Sequence, residues 1–473
     1  MSASSSRPTY AALLRVPHAR RTFTAALVGR LSYGMVSLSV MLAVSRATGS
    51  YAVAGTVLAL FGAMSVFLSP ARAALVDRYG PRRSLIPMAS VYAGLLGVLA
   101  VVTWRPGAPV AMIAGVAVAA GACTPPLGPT MRAVWGEVID DRRLLQRAYS
   151  LDGVAEEVLF VSGPLIVGGL MQFAPPAAGV ALSALLVGTG AVAFVTSPLA
   201  GRVRPAPGRV KRARAEGRGR AGRALLQPVV VTAGVGLSLG AVDLLVMAFA
   251  EERHHGDAVV AWVLAALSAG SALGGLLNGA VDWRGPARAR LPWMSVGLGL
   301  ALTAAGLAPG LVTLTVAVAC AGFFVAPALT TAYLIADESA PPGFRTQAGA
   351  WVNTAVNAGS AGGAAAVGLL VGRLPLALCF GAAGAIALLA AAASARGGAV
   401  RGPARDDRGA QGDGVDRADG ADGADGVDGV DGADGVDGAD RTDRTEEDDR
   451  TDPARRDTAK RGTPVEEAAR SAG

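Results

Sequence analysis

Four ionisable side chains, Arg30, Glu156, Glu157 and Asp243, lie inside long apolar stretches. A charge at the centre of a bilayer costs about 2.5–3.5 kcal/mol on insertion scales, so each needs a partner or a task. Arg30 stands about nine residues into the apolar run 22–45, Glu156 and Glu157 about ten into the run 147–171, and Asp243 late in the run 225–249. A desolvated carboxyl that meets and leaves a cation can take up and release a proton. Arg30, Glu156, Glu157 and Asp243 are therefore the expected proton-coupling and cavity residues. The same groups serve equally well as a static ion pair that fixes helix packing. Adjacent helical residues point about 100° apart, so Glu156 and Glu157 must serve different partners, one the cavity and the other a neighbouring helix. Asn353 and Asn357, four apart in the run 346–371, are expected either as substrate contacts or as interhelical hydrogen bonds. Arg132, Asp337 and Glu338 fall at the ends of runs, where a side chain reaches water. His254 and His255 stand near Glu251, Glu252 and Asp257 but lack the i, i+4 spacing that turns two histidines onto one helical face. With no nucleophile–base pair and no phosphate loop either, neither a metal nor a cofactor is expected.

The elements that carry these residues follow from composition. Of 473 residues, 52% are apolar and 17% charged, against about 25% charged in a soluble domain. That excludes a soluble enzyme and a nucleic-acid-binding protein, despite a pI near 9.7. A hydrocarbon core about 30 Å thick needs roughly 20 apolar residues per helix. This ruler predicts an all-α polytopic membrane protein with twelve transmembrane helices, over 22–45, 52–74, 84–104, 109–134, 147–171, 176–197, 225–249, 258–281, 290–308, 310–335, 346–371 and 374–395. With the N-terminus inside, 25 Arg and Lys fall on the cytoplasmic side and only Arg46, Arg105, Arg253 and Arg373 outside, so both termini are expected in the cytoplasm. The first run is too long for a signal-peptide core and is read as a retained helix. Cys123, Cys320 and Cys379 sit in apolar runs as small hydrophobes rather than as a disulfide framework. Pro125, Pro126, Pro129, Pro164 and Pro327 are expected to bend their helices. Glycine pairs four apart, at 270/274, 275/279, 359/363 and 368/372, should admit close helix contacts within a monomer.

The chain divides into a cytoplasmic segment 1–21, a six-helix bundle 22–197, a basic linker 198–224, a second six-helix bundle 225–395 and an acidic tail 396–473. The linker holds nine Arg and Lys against Glu216; the tail repeats Asp-Gly-Ala and Asp-Gly-Val from Asp419 to Asp440 and is expected to be disordered. Up to residue 395 there are 30 basic and 15 acidic residues, and beyond it 13 and 21, so linker and tail are opposite in sign. An internal repeat joins the halves: Val76, Asp77, Gly80, Pro81 and Arg83 recur as Val281, Asp282, Gly285, Pro286 and Arg288. Gly163 and Gly168 recur as Gly363 and Gly368. Two related six-helix halves, with a site near the midplane between them, are the plan of many secondary transporters.

Residues from about 20 to 395 resemble the major facilitator superfamily, nearest in style to its proton-coupled drug-efflux members. Asp77, Gly80, Arg82 and Arg83 fit the family signature after the second span, with Ala73 where its first glycine stands. The resemblance implies that these four residues form a conformational switch, Asp77 locking the cytoplasmic ends of the halves together in one state and releasing them in the other. A carboxylate does this through a helix N-terminus or an arginine. The same charges also read as loop residues that only set topology. Two departures stand out: Ala111–Gly115 holds no arginine where many proton-coupled exporters have one, and Gly163-Pro164 is separated from Gly168-Gly169 by three residues where the family has two.

The expected function is proton-coupled export of a small amphiphilic molecule by alternating access, not an enzymatic reaction. The near absence of lysine beside abundant Arg and Ala suggests a high-GC bacterial genome, and the expected location is the bacterial plasma membrane. Expected partners are the lipid bilayer, a small-molecule substrate and protons, without nucleic acid, the protein acting as a monomer. The competing readings are a uniporter or importer of a small metabolite, a transport-inactive sensor or scaffold that signals through the tail, and an integral-membrane enzyme.

Overall fold

The computed structural model describes residues 9–203, 218–341 and 343–399. The acidic tail from residue 400 onward and the core of the basic linker, 204–217, lie outside them. The described residues fold as helices. A short α1 (Tyr10–Arg15) precedes α2 (Ala19–Thr48), and the second expected span is two helices, α3 (Tyr51–Phe67) and α4 (Ser69–Tyr79). Then come α5 (Pro81–Val102), the pair α6 (Val110–Cys123) and α7 (Leu127–Val138), α8 (Arg142–Leu170) and α9 (Pro176–Val195). Beyond the linker follow α10 (Arg218–Glu252), α11 (Asp257–Ala280), α12 (Ala287–Ala305), α13 (Leu311–Ser339), α14 (Arg345–Leu370) and α15 (Leu376–Ala399).

A helix or helix pair covers each of the twelve expected runs. Among the described residues, nine helices are long and apolar enough to cross a membrane, or ten if the bent pair α3 and α4 counts as one. Beyond these stand α12, which opens on Arg288 and Arg290, and α14, which carries Arg345, Gln347, Asn353 and Asn357.

Two spans are broken, for local reasons. Pro125 and Pro126 remove two successive N–H donors and hold Thr124 out of the helical region, so α6 ends and α7 restarts. Pro70 stands in the first turn of α4, where a proline is tolerated, and the chain turns by 41° at Leu68. The adjacent pair Pro125 and Pro126 breaks its span, Pro129 stands in the first turn of α7, and Pro164 and Pro327 lie inside α8 and α13. Cys379 is buried, Cys123 half-buried and Cys320 exposed, so the last is not the buried hydrophobe expected of it; it presents its side chain outward from α13.

Packing repeats along the chain. In the N-terminal set, α2 lies against α8 and α9, α3 against α6, and α5 against α6 and α9. In the C-terminal set, α10 lies against α14 and α15, α11 against α13, and α12 against α13 and α15, the same pairing pattern in the second set. The sets meet where α8 touches α11 and α13, and where α4 and α7 touch α14. Glycines set the closest approaches. A Cβ on Gly34 would collide with the Leu159 carbonyl and one on Gly163 with the Gly34 backbone, so α2 and α8 touch backbone to backbone. Gly270 and Gly274 do the same for α11 on α13, and Gly359 and Gly363 for α14 on α10.

Candidate functional site

The α2–α8 glycine contact brings Arg30 to the two carboxylates that α8 turns to one side, Asp152 and Glu156, four residues apart. Arg30 Nη1 donates to Asp152 Oδ1 at 2.5 Å, and Arg30 Nη2 lies 3.0 Å from Glu156 Oε2. From α7, Arg132 Nε lies 2.8 Å from Asp152 Oδ2, and its Nη2 donates to Glu156 Oε2. Two cations and two anions close a ring of four ion pairs with no net charge. Arg30 is 3% exposed, Arg132 4% and Asp152 0%, so mutual pairing replaces the water each ion has lost. Glu156 alone keeps contact with the outside, at 30% side-chain exposure. The Tyr333 ring of α13 lies over Arg132, 3.8 Å from Cζ to centroid, a cation–π contact reaching from the C-terminal set.

Glu157 points elsewhere, as adjacent helical positions must. Its Oε1 accepts from Ser271 Oγ of α11 at 2.8 Å, across the seam between the two sets. Among the described residues no cation pairs with it. Asp243 of α10 stands apart from the ring with an exposed side chain. Asn353 is half-buried, its Oδ1 3.4 Å from the Tyr333 hydroxyl, while the exposed Asn357 donates to the Asn353 carbonyl of its own helix at 2.7 Å.

At one end of the seam, Asp77 caps a helix that is not its own. The N-cap of α14 is Phe344, which has no acceptor side chain. Asp77 Oδ1 instead accepts from Thr346 N at 3.1 Å, and Oδ2 from Gln347 N at 2.8 Å. A carboxylate there meets both the free amides and the positive end of the helix dipole. By contrast, α8 is capped from within its own chain segment, Asp141 Oδ1 accepting from Arg143 N at 2.8 Å. The repeat partner of Asp77, Asp282, ion-pairs with Arg147 at 3.3 Å and with Arg143 at 3.8 Å, both on α8. Two further pairs cross the seam, Arg142 with Glu338 at 3.2 Å and Arg345 with Glu137 at 3.5 Å. Gly80 has φ +85°, a region glycine enters without strain, and it turns the chain from α4 into α5. Arg82 and Arg83 are exposed on the first turn of α5.

Sequence reasoning missed half of the ring. Arg132 was expected at a span end within reach of water; it is buried because α7 restarts at Leu127 and runs on to Val138, which places Arg132 in mid-helix. Asp152 drew no attention because the apolar run starts at 147, whereas α8 starts at Arg142. The i, i+4 spacing of Asp152 and Glu156 was the available signal.

No curated protein matches the sequence. Among solved structures, the chain is similar to the human organic anion transporter MFSD10 (TETRAN), at 16% identity and a TM-score of 0.61, covering 80% of this chain and 100% of that one. It is likewise similar to a bacterial homologue of the iron transporter ferroportin in an outward-facing state, at 14% identity and a TM-score of 0.63, over 80% and 99% of the two chains. The proton:xylose symporter XylE is similar at 13% identity and a TM-score of 0.59, over 80% and 95%. These likenesses establish the fold. At the sequence level, the Major Facilitator Superfamily profile matches residues 22–281, more than half of the chain. Helices of membrane-spanning length, helix packing that repeats between the two sets and a profile match of this extent agree: the chain belongs to the major facilitator superfamily, whose members are membrane transporters.

Proposed function

We propose that the protein is a secondary active transporter that exports a small amphiphilic molecule against a proton gradient by alternating access. In this reading twelve spans form two six-span bundles, 22–197 and 225–395, with both termini in the cytoplasm of a bacterium and the monomer as the working unit. The observation that carries the proposal is the unequal treatment of two neighbouring carboxylates. Glu156 is shared by two guanidinium groups, so protonating it would break two ion pairs. Glu157 has a hydroxyl as its partner, contributed by the opposite set. Protonating Glu157 breaks no ion pair, and sliding α11 along α8 changes its surroundings. A group so placed reports its proton to the conformational equilibrium, because the two states differ in what they offer it.

Arg30, with Arg132 and Asp152, holds Glu156 at the mouth of the same site, where it sets the local charge. Asp243, Asn353 and Asn357 complete the polar surface offered to substrate. Asp77 acts as the switch, with Gly80 forming its turn and Arg82 and Arg83 holding that turn on the cytoplasmic side. The hydrogen bonds and ion pairs across the seam gather toward the Asp77 end, which supports a state closed to the cytoplasm.

The test is proton flux in everted vesicles, followed with a pH-sensitive dye against a panel of cationic and neutral amphiphiles. Wild type should discharge the gradient with at least one compound, and Glu157→Gln should lower that flux at least tenfold. Wild-type flux in Glu157→Gln would refute the assignment of the carrier. No response from wild type to any compound would refute proton-coupled export itself.

A further inference from the structure

Arg72 is a buried cation without an anion. It is 6% exposed, and among the described residues no carboxylate pairs with it. Its guanidinium is spent on backbone instead. Nη1 lies 2.8 Å from both the Gly121 and Ala122 carbonyl oxygens and 3.5 Å from that of Met64, and Nη2 donates to the Ser65 carbonyl. These four carbonyls belong to the last turns of α6 and α3, the two helices that end at breaks.

The sequence explains why two of those four carbonyls, Gly121 and Ala122, lack their helical donor. In an unbroken helix, Gly121 and Ala122 would accept from residues 125 and 126, but both are proline and have no N–H. In the other broken span, Val66 would accept from residue 70, again proline. There the missing donor comes from across the seam, Thr354 Oγ1 of α14 donating to the Val66 carbonyl at 3.1 Å. Tyr33 adds a third tie, its hydroxyl donating to the Pro125 carbonyl at 2.5 Å. Two helix C-termini, each the negative end of a dipole, thus converge on one cation.

The position of Arg72 gives this mechanical meaning. It lies five residues before Asp77 on α4, the half-span that carries the switch. The break it reaches, at Thr124–Pro126, opens directly into α7, the half-span that carries Arg132 of the ion-pair ring. We infer that Arg72 is a positioning residue that ties the two breaks into one hinge, so that α4 with its switch and α7 with its ring arginine move as a single body. The inference rests on the alternating-access reading only in that the two sets separate at the Asp77 end. Its test needs no transport.

Spin labels at Leu75 on α4 and at Asp140 just past the end of α7, both exposed, report the distance between the two half-spans in full-length protein in nanodiscs, with the three native cysteines replaced by serine. The distance is read with the switch intact and with Asp77→Asn. With Arg72 present, the distribution should stay narrow and unshifted in both. In Arg72→Gln it should broaden at least twofold in either background. Arg72→Lys is the second variant should Arg72→Gln fail to fold: it keeps the charge, but one ammonium cannot serve both helix ends, and the same broadening is expected. A narrow distribution in a folded Arg72 variant overturns the inference, even if that variant melts at a lower temperature, and so does a broad distribution in the parent protein. Absence of proton flux leaves these distances as they are, so failure of the export proposal is separately visible.

Discussion

Among the described residues, Asp152 is a fully buried anion held by two guanidinium groups. Replacing it with asparagine leaves two buried arginines facing a single glutamate. Breaking a buried pair in this way costs about 3–5 kcal/mol, because the remaining charge stays desolvated. Asp152→Asn should therefore lower the thermal unfolding midpoint in detergent far more than Glu157→Gln. The amide can still accept from Ser271, and its effect should stay within about 1 kcal/mol. Asp77, proposed as the switch, is governed by smaller energies. Removing a helix-capping side chain costs about 0.5–2 kcal/mol, which is a shift of roughly two- to thirtyfold toward an open switch in Asp77→Ala. Thr346 is fully buried beside Asp77, so a Thr346→Cys probe should alkylate faster from the cytoplasmic side by that factor when Asp77→Ala is added. An unchanged rate would show that the cap does not hold the seam.

At the scale of the helix, glycine decides how closely neighbours run. Gly236 and Gly240 of α10 press on the Val356 and Ser360 carbonyls of α14, and Gly359 and Gly363 press back on Ala233 and Leu237. This interleaving leaves no room for a Cβ on either side. Gly240→Val or Gly363→Val should cost about 1–3 kcal/mol or more through forced separation, read as loss of monodisperse protein. Gly55→Ala and Gly115→Ala, which meet open space, should be tolerated. Helix existence and rough extent were legible because apolar length is a coarse, additive property. The ends were not, since α8 begins five residues before its apolar run, at Arg142, and α7 runs four residues past its own, to Val138. That error of a few residues hid Asp152 and Arg132, while Arg30 was legible as a charge inside an apolar run and the divergence of Glu156 from Glu157 followed from helical geometry. The break at Leu68 was hidden too, because its cause, Pro70, stands at a position where proline also begins a helix.

Across the whole molecule, the sequence repeat appears as paired contacts on the seam. Asp77 meets the start of α14, and Asp282 meets the first turns of α8. Arg345 with Glu137 and Arg142 with Glu338 are the matching crossings. The two devices are unequal in kind: a buried cap on backbone amides at Asp77, and partly exposed ion pairs elsewhere. Exposed pairs are worth about 0–1 kcal/mol and are screened by salt. Raising ionic strength should therefore speed Thr346→Cys alkylation more in Asp77→Ala than in the parent, where the cap persists; equal salt effects would refute this division.

The cap donated by Asp77 also bears on biogenesis. The start of α14 takes its acceptor from a residue synthesised far earlier, so α14 does not cap its own first turn. A C-terminal fragment beginning after the linker should insert with that end frayed, and the N-terminal fragment supplied as a separate polypeptide should restore it. The order of synthesis is then also the order of assembly, with the template for α14 in place before α14 leaves the ribosome.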